Sequence, residues 1–320
     1  MSFSFREVWK AKQRLNSVVE ATPLVYSESL SKSLTNDIYL KLEHTHPTGS
    51  FKLRGAANKI LSLSDEEKEK GVATFSTGNH GISVAYVAKK FNIPCIVCIS
   101  NRVPLEKVNR LKRLEAEVVV VGSNQDDAEA HCYQLEKEKG ISVVKPFDDR
   151  EVIAGQGTIG LEIMEQLPEV KEVIIPLSGG GLLSGIGYTL KSIDPSIRIT
   201  GVSMEKSAVM YESLKKGTPV VLPEEDTLAD SLLGGLGPEN QYTFSMTGKY
   251  MDGAELVSEK SIGKGILHML EYHKMAIEGA AASGIGLLLE KGRRANSPVV
   301  LIISGNNIDH QTIEDLMINK

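Results

Sequence analysis

Cysteine is scarce in this chain, with three in 320 residues, and so are aromatic side chains, at 5% with a single tryptophan. Three thiols cannot build the disulfide framework of a small secreted domain. Cys95 and Cys98 form a C-x-x-C, but no second pair exists to complete a zinc set. They fall in Ile93–Ile99, an apolar run that reads as a buried strand, where residues three apart face opposite sides. Both are therefore expected to be packing thiols, with Cys132 alone in a helical segment. His44 and His46 are read as loop histidines, and no metal is expected. A basic excess is also missing: the net charge is −5 and no dense basic run occurs, which leaves no field to hold a nucleic acid. No apolar stretch approaches the ~20 residues that span a bilayer. The opening Met1–Glu7 lacks the apolar centre of a secretory signal. Neither a nucleic-acid nor a membrane partner is expected, and the cytoplasm is the expected compartment.

What is present is ordinary globular material, 41% hydrophobic and 24% charged, in enough length for two cores. Strand-like runs at Ile38–Glu43, Gly71–Phe75, Ile93–Ile99, Glu117–Val121 and Ile141–Lys145 alternate with helical patterns at Phe5–Asn16, Arg54–Leu63, Asn79–Phe91, Leu105–Leu114 and Asp126–Lys139. A second series follows: helix Gln156–Gln166, strand Val173–Leu177, helix Leu182–Ser192, strand Ile199–Ser203, helix Gly279–Lys291 and strand Val299–Ile303. This alternation predicts α/β architecture with two doubly wound, open parallel-sheet domains. The larger would be discontinuous, over residues 1–50 and 149–320, and the smaller would cover 51–148.

Ligands of such folds bind beyond the carboxyl ends of the strands, where loops enter helices. Four segments there carry chemistry. Pro47–Gly55 places Lys52 beside Phe51 among small residues, a setting that suits a lysine whose amine forms a Schiff base; a turn with a solvated Lys52 is the plainer alternative. Ser76-Thr77-Gly78-Asn79-His80-Gly81 offers hydroxyls, an amide and the N–H groups of a helix start, a cradle for a carboxylate, unless its polar residues merely cap the helix. Ser178-Gly179-Gly180-Gly181-Leu182 runs three glycines between strand and helix, where the backbone can wrap a phosphate. Ser304-Gly305-Asn306-Asn307 directly follows an apolar strand. The glycine loop also loosely matches a dinucleotide fingerprint, with Glu205 where a ribose-binding acid would stand. That nicotinamide reading lacks the third glycine and leaves the lysine and asparagine motifs without a purpose.

Taken in order from about Thr22-Pro23-Leu24 to Asn307, these four motifs resemble the fold-type II pyridoxal-phosphate enzymes, specifically the serine/threonine dehydratase branch. The resemblance implies that Lys52 carries the cofactor and acts as general base when freed. Phe51 would pack on the ring and Asn79 bond its 3′-oxygen. Ser178, Gly179, Gly180, Gly181 and Leu182 would bind the phosphate, and Ser304 would meet the pyridine nitrogen. The loop Ser76, Thr77, Gly78, Asn79, His80, Gly81 would take the substrate carboxylate. The substrate implied is a 3-hydroxy amino acid, L-threonine or L-serine, converted by β-elimination to a 2-oxo acid and ammonia. A hydroxyl at Ser304 makes a weaker electron sink than a carboxylate and suits prompt elimination. A homodimer is the family's habit.

The chain departs from the pattern in places. Ser178 replaces a glycine, Asn306 is expected to bring a side chain to the cofactor's edge, and Thr77 stands where serine racemase has its second serine. Tyr211 replaces the distal acid of the metal site that would begin at Glu205. The Lys41–Lys52 segment also resembles hydroxyectoine utilisation dehydratases, which leaves that substrate class, hydroxyaspartates and racemisation as alternatives.

Overall fold

A computed structural model describes residues 3–237, 239–292 and 298–318. Its strands are β1 Leu24–Tyr26, β2 Ile38–Lys41, β3 Val72–Thr74, β4 Cys95–Ile99, β5 Glu117–Val120, β6 Ser142–Val143, β7 Glu172–Pro176, β8 Arg198–Met204, β9 Gly253–Val257 and β10 Val299–Ile302. They form two sheets, ordered β5-β4-β3-β6 and β1-β2-β10-β7-β8-β9. The first is parallel throughout; the second is parallel except for β1, which pairs antiparallel with β2 at its edge.

Each sheet belongs to its own compact unit: residues 1–20 with 52–155, and 21–51 with 156–320. The expected division, residues 1–50 with 149–320 against 51–148, differs from these at both ends. The helix Phe5–Leu15 belongs to the smaller unit, where Arg14 bonds Glu151 and Asn58. The later division falls inside the helix Arg150–Gln166, which starts six residues before the expected Gln156 because Asp149 caps its first turn through the Glu151 and Val152 N–H groups.

Alternation along the buried strands builds a core on each face of each sheet. In the larger unit Ile174, Val202, Val299 and Leu301 pack in one cluster, whereas Val173, Ile175, Ile199, Val300 and Ile302 pack in another. In the smaller unit Cys95 and Val97 face one core and Cys98 faces the other. The opposed cysteines agree with the strand reading. Cys132 is buried too, in the same core as Cys98, because the helix Gln125–Lys139 lies on that face of β4. Contact between these two thiols holds Cys98 below its ordinary range and, with burial, pushes Cys132 up.

At the end of β2 the fully buried Lys41 donates to the Glu162 carboxylate at 2.6 Å, to the Gln166 side chain at 2.9 Å and to the Thr22 carbonyl at 2.8 Å. Glu162 also accepts from the Thr22 N–H. This network pins the segment before β1 and the end of β2 to the helix Arg150–Gln166. Removing one member of a buried ion pair leaves the other charge uncompensated, typically at about 3–5 kcal/mol. Glu162→Gln is expected to lower stability by about 3 kcal/mol in urea unfolding, more than the combined replacement with Lys41→Met.

Candidate active site

The smaller unit carries Lys52 and the Ser76–Gly81 loop. Lys52 is the first residue of the helix Lys52–Ser62, two positions before the expected start, and its Nζ donates to the Pro146 carbonyl at 2.7 Å. The loop follows β3 and enters the helix Asn79–Lys90 with Gly78 as N-cap, so no side chain caps that first turn. Other helices here differ; Asn124 and Asp127 form a capping box on Gln125–Lys139. Uncapped N–H groups at a helix start suit an anionic partner. The chain doubles back so tightly that a Cβ on Gly81 would overlap the Ser76 carbonyl. Ser76, Thr77 and Gly78 are half-buried and Asn79 is buried.

His80 points inward. Its ring is 2% exposed and Nε2 lies 2.9 Å from the Val144 carbonyl, which also accepts from Thr74 Oγ1 at 3.1 Å. A carbonyl only accepts, so Nε2 bears the hydrogen and Nδ1 the lone pair. That Nδ1 has no protein partner among the described residues. Burial, with the Lys52 charge adding to it, pushes His80 down to about 3, so the ring is neutral.

The larger unit carries the glycine loop and the Ser304 turn. Ser178 is half-buried and Gly179, Gly180, Gly181 and Leu182 are buried between β7 and the helix Gly181–Ile193. Gly180, the N-cap, has φ +83°, and a Cβ there would stand 2.6 Å from Thr247 Oγ1 and 2.7 Å from Met210 Cε. Only glycine fits that backbone and that space. The helix carries no side-chain cap.

Beyond β2 and β10 the two chain segments continue side by side. The Phe51 N–H donates to the Ser304 carbonyl at 3.0 Å, the Asn306 N–H to the Gly49 carbonyl at 2.9 Å, and Ser50 bridges Gly305. Phe51 and Ser304 are thus joined directly, Phe51 half-buried and Ser304 buried. Asn306 packs its side-chain oxygen against Gly49, and Asn307 Nδ2 donates to the Thr48 carbonyl at 3.2 Å. Sequence reasoning missed Glu278, which is buried. Its N–H donates to the Gly305 carbonyl at 3.1 Å, and its carboxylate accepts from the Asn307 N–H at 3.2 Å and Ser231 Oγ at 3.0 Å. It precedes the helix Gly279–Lys291, whose start was legible, but nothing in the chain signals the turn it meets.

His44 and His46 lie buried in and just after a short 3-10 turn rather than in an open loop, with His46 Nε2 3.2 Å from the Glu43 carboxylate. Glu205 is exposed just past β8 and Tyr211 half-buried. Among the described residues no group of three or more His, Cys, Asp or Glu is arranged to hold a metal ion.

The family model described as pyridoxal-phosphate dependent enzyme matches residues 15–305. A putative threonine dehydratase of Sinorhizobium fredii is 43% identical over 96% of this chain and 93% of its own length. An L-threonine ammonia-lyase of Thermotoga maritima is 40% identical over 99% of this chain and 78% of its own. Maize serine racemase superposes with a TM-score of 0.92 at 31% identity, covering all of this chain and 98% of that one.

The neutral His80 sets a pH dependence. Its folded value, about 3, lies below its ordinary 6.5, so the unfolded chain takes up the proton first. The stability it contributes is complete above pH 6.5 and is lost as pH falls towards 3. Urea midpoints measured from pH 7 to pH 4 are expected to fall less steeply in His80→Gln than in the wild type.

Proposed function

The chain belongs to the pyridoxal-phosphate dependent enzyme family, and from that premise we propose that it is an ammonia-lyase acting on L-threonine and L-serine. The observation that carries this reading is Lys52 itself: an amine at a helix start, resting on a backbone carbonyl, in the unit that also supplies the Ser76–Gly81 anion cradle.

The side chains suit the cofactor. The glycine loop leaves no room for a Cβ at Gly180 and presents backbone to a helix N-terminus, as a phosphate requires. Ser50 Oγ, two residues before Lys52, is buried without a protein partner among the described residues. When bound, pyridoxal phosphate supplies the electron sink that lets the substrate's α-C–H bond break. Lys52 would hold the cofactor and, with its amine free, would accept the substrate's α-proton. The N–H groups of Ser76–Gly81 orient the substrate carboxylate, and Asn79 bonds the 3′-oxygen. Ser178, Gly179, Gly180, Gly181 and Leu182 would hold the phosphate, Phe51 would flank the ring, and Ser304 would be a neutral partner for the ring nitrogen, which suits elimination. L-Threonine loses water, and the released enamine takes up water to give 2-oxobutanoate and ammonia; L-serine gives pyruvate and ammonia. Thr77, in place of the racemase serine, directs the same site away from racemisation.

No helix among the described residues is long and apolar enough to cross a membrane. A cytoplasmic homodimer completes the proposal, and light scattering of the purified protein tests the dimer.

The purified protein is expected to be yellow, and borohydride to fix a pyridoxyl group on Lys52, located by peptide mass spectrometry. Lys52→Ala is expected to lose activity by at least about 10³-fold, the scale of removing both a covalent anchor and its general base. Retention of a reducible adduct and full turnover in that variant would overturn the assignment. Assaying 2-oxo acid and ammonia release from L-threonine, L-serine, hydroxyaspartates and hydroxyectoine decides the substrate; turnover of hydroxyectoine alone would replace the threonine reading.

A further inference from the structure

The smaller unit holds the Lys52 amine in a manner that the cofactor assignment does not explain. Lys52 Nζ donates to the Pro146 carbonyl, which lies on an irregular segment just past β6. That strand has two residues and sits at the edge of its sheet, so its ladder gives the following segment little support. Three bonds make up the deficit, all at Val144. Its N–H donates to the Ala73 carbonyl at 2.8 Å, and its own carbonyl accepts from both Thr74 Oγ1 and His80 Nε2. Two residues further on comes Pro146, whose carbonyl meets the lysine. With φ fixed by its ring, the proline narrows the directions that carbonyl can take.

We propose that the Pro146 carbonyl is the seat that receives the Lys52 amine whenever it is not bonded to the cofactor, and that His80 and Thr74 are positioning residues that hold this seat through Val144. The inference rests on Lys52 being the cofactor lysine. Once free of the cofactor, the Lys52 nitrogen would accept the substrate's α-proton and become an ammonium. A carbonyl held in place by Val144 serves both states, accepting an N–H from the amine and a stronger bond from the ammonium. The arrangement needs a neutral His80: a charged ring would add a second positive charge beside the lysine. His80 therefore acts through Val144 and the lysine's geometry, although it lies in the loop read as the substrate-carboxylate cradle.

The test uses His80→Phe, His80→Gln and Thr74→Val. Phenylalanine fills the ring's space without a donor, glutamine restores a donor near Nε2, and valine removes the other bond while keeping the shape. A misplacement of a catalytic group by about 1 Å can cost about 10²-fold, so for smaller shifts kcat with L-threonine is expected to fall about tenfold in His80→Phe and about threefold in Thr74→Val. KM is expected to stay within about twofold, and His80→Gln to recover to within about threefold of the wild type. A readout independent of turnover is acetylation of Lys52 in the cofactor-free protein by acetic anhydride, followed by mass spectrometry. Release of the amine from its seat is expected to raise the rate several-fold in His80→Phe and Thr74→Val, and glutamine to reverse it.

If His80→Phe does not fold, Thr74→Val against His80→Gln gives the decision. Unchanged kcat and unchanged Lys52 acetylation in the folded donor-deleting variants overturn the seat. Absence of a borohydride-fixed pyridoxyl group on Lys52 in the wild type overturns the cofactor reading instead. A fixed adduct in every variant with unaffected labelling overturns the seat alone.

Discussion

The arrangement depends on the parallel pairing of β10 with its two neighbours. β10 lies between β2 and β7 and pairs parallel with both, in the registers Val299–Ile38 and Val299–Glu172. Parallel strands end together, so the segments leaving three adjacent strands emerge on one edge of the larger sheet. Those segments are Pro47–Phe51, the Ser304 turn and the glycine loop. Just past the strands the His44 N–H still reaches the Ile303 carbonyl; the chain then turns, and Ser50 pairs antiparallel with Gly305, the Phe51 N–H donating to the Ser304 carbonyl. A slip of β10 by one residue would turn Leu301 and Val300 to the wrong cores and separate Phe51 from Ser304 together. Packing and site share one register.

The smaller sheet repeats the device on a reduced scale. β3 is flanked by β4 and by the edge strand β6, all parallel. The Ser76–Gly81 loop leaves β3 and the Val144–Pro146 segment leaves β6, so the adjacency of two short strands sets that loop beside the carbonyl that accepts from Lys52. Short edge strands are weakly held by their ladders, which is why side chains from β3 and from the loop itself bond back to Val144.

Much of this was legible in the chain because it is local. A run such as Val299–Ile303, followed by serine and glycine, announces a strand and its turn within a few residues, and the triple glycine before Leu182 announces a helix start without a cap. The start of the helix Gly279–Lys291 and the opposed faces of Cys95 and Cys98 follow from periodicity. What escaped is set by partners distant in sequence. Glu278 meets Gly305 and Asn307, Cys132 meets Cys98, and Lys52 meets Pro146, each across dozens of residues. No spacing encodes those meetings. Strand order decides them, and strand order was not among the sequence's local signals.

His80 shows how the two kinds of information combine. Its place in Ser-Thr-Gly-Asn-His-Gly is a local pattern, and that pattern alone assigns every polar member to the ligand. Asn79 and His80 point about 100° apart around the helix; both are buried, and the His80 ring is the one turned inward to the Val144 carbonyl. Gly81, pressed on the Ser76 carbonyl, lets the chain turn that tightly into the helix. The inward one must be satisfied in an apolar interior, which a neutral imidazole manages with one donor bond to a carbonyl. A charged residue at that position would carry an unpaired charge into the core, and an apolar one would leave the edge segment with one bond fewer. The side chain that the motif offers to substrate is thus the one the fold needs for its own weakest strand.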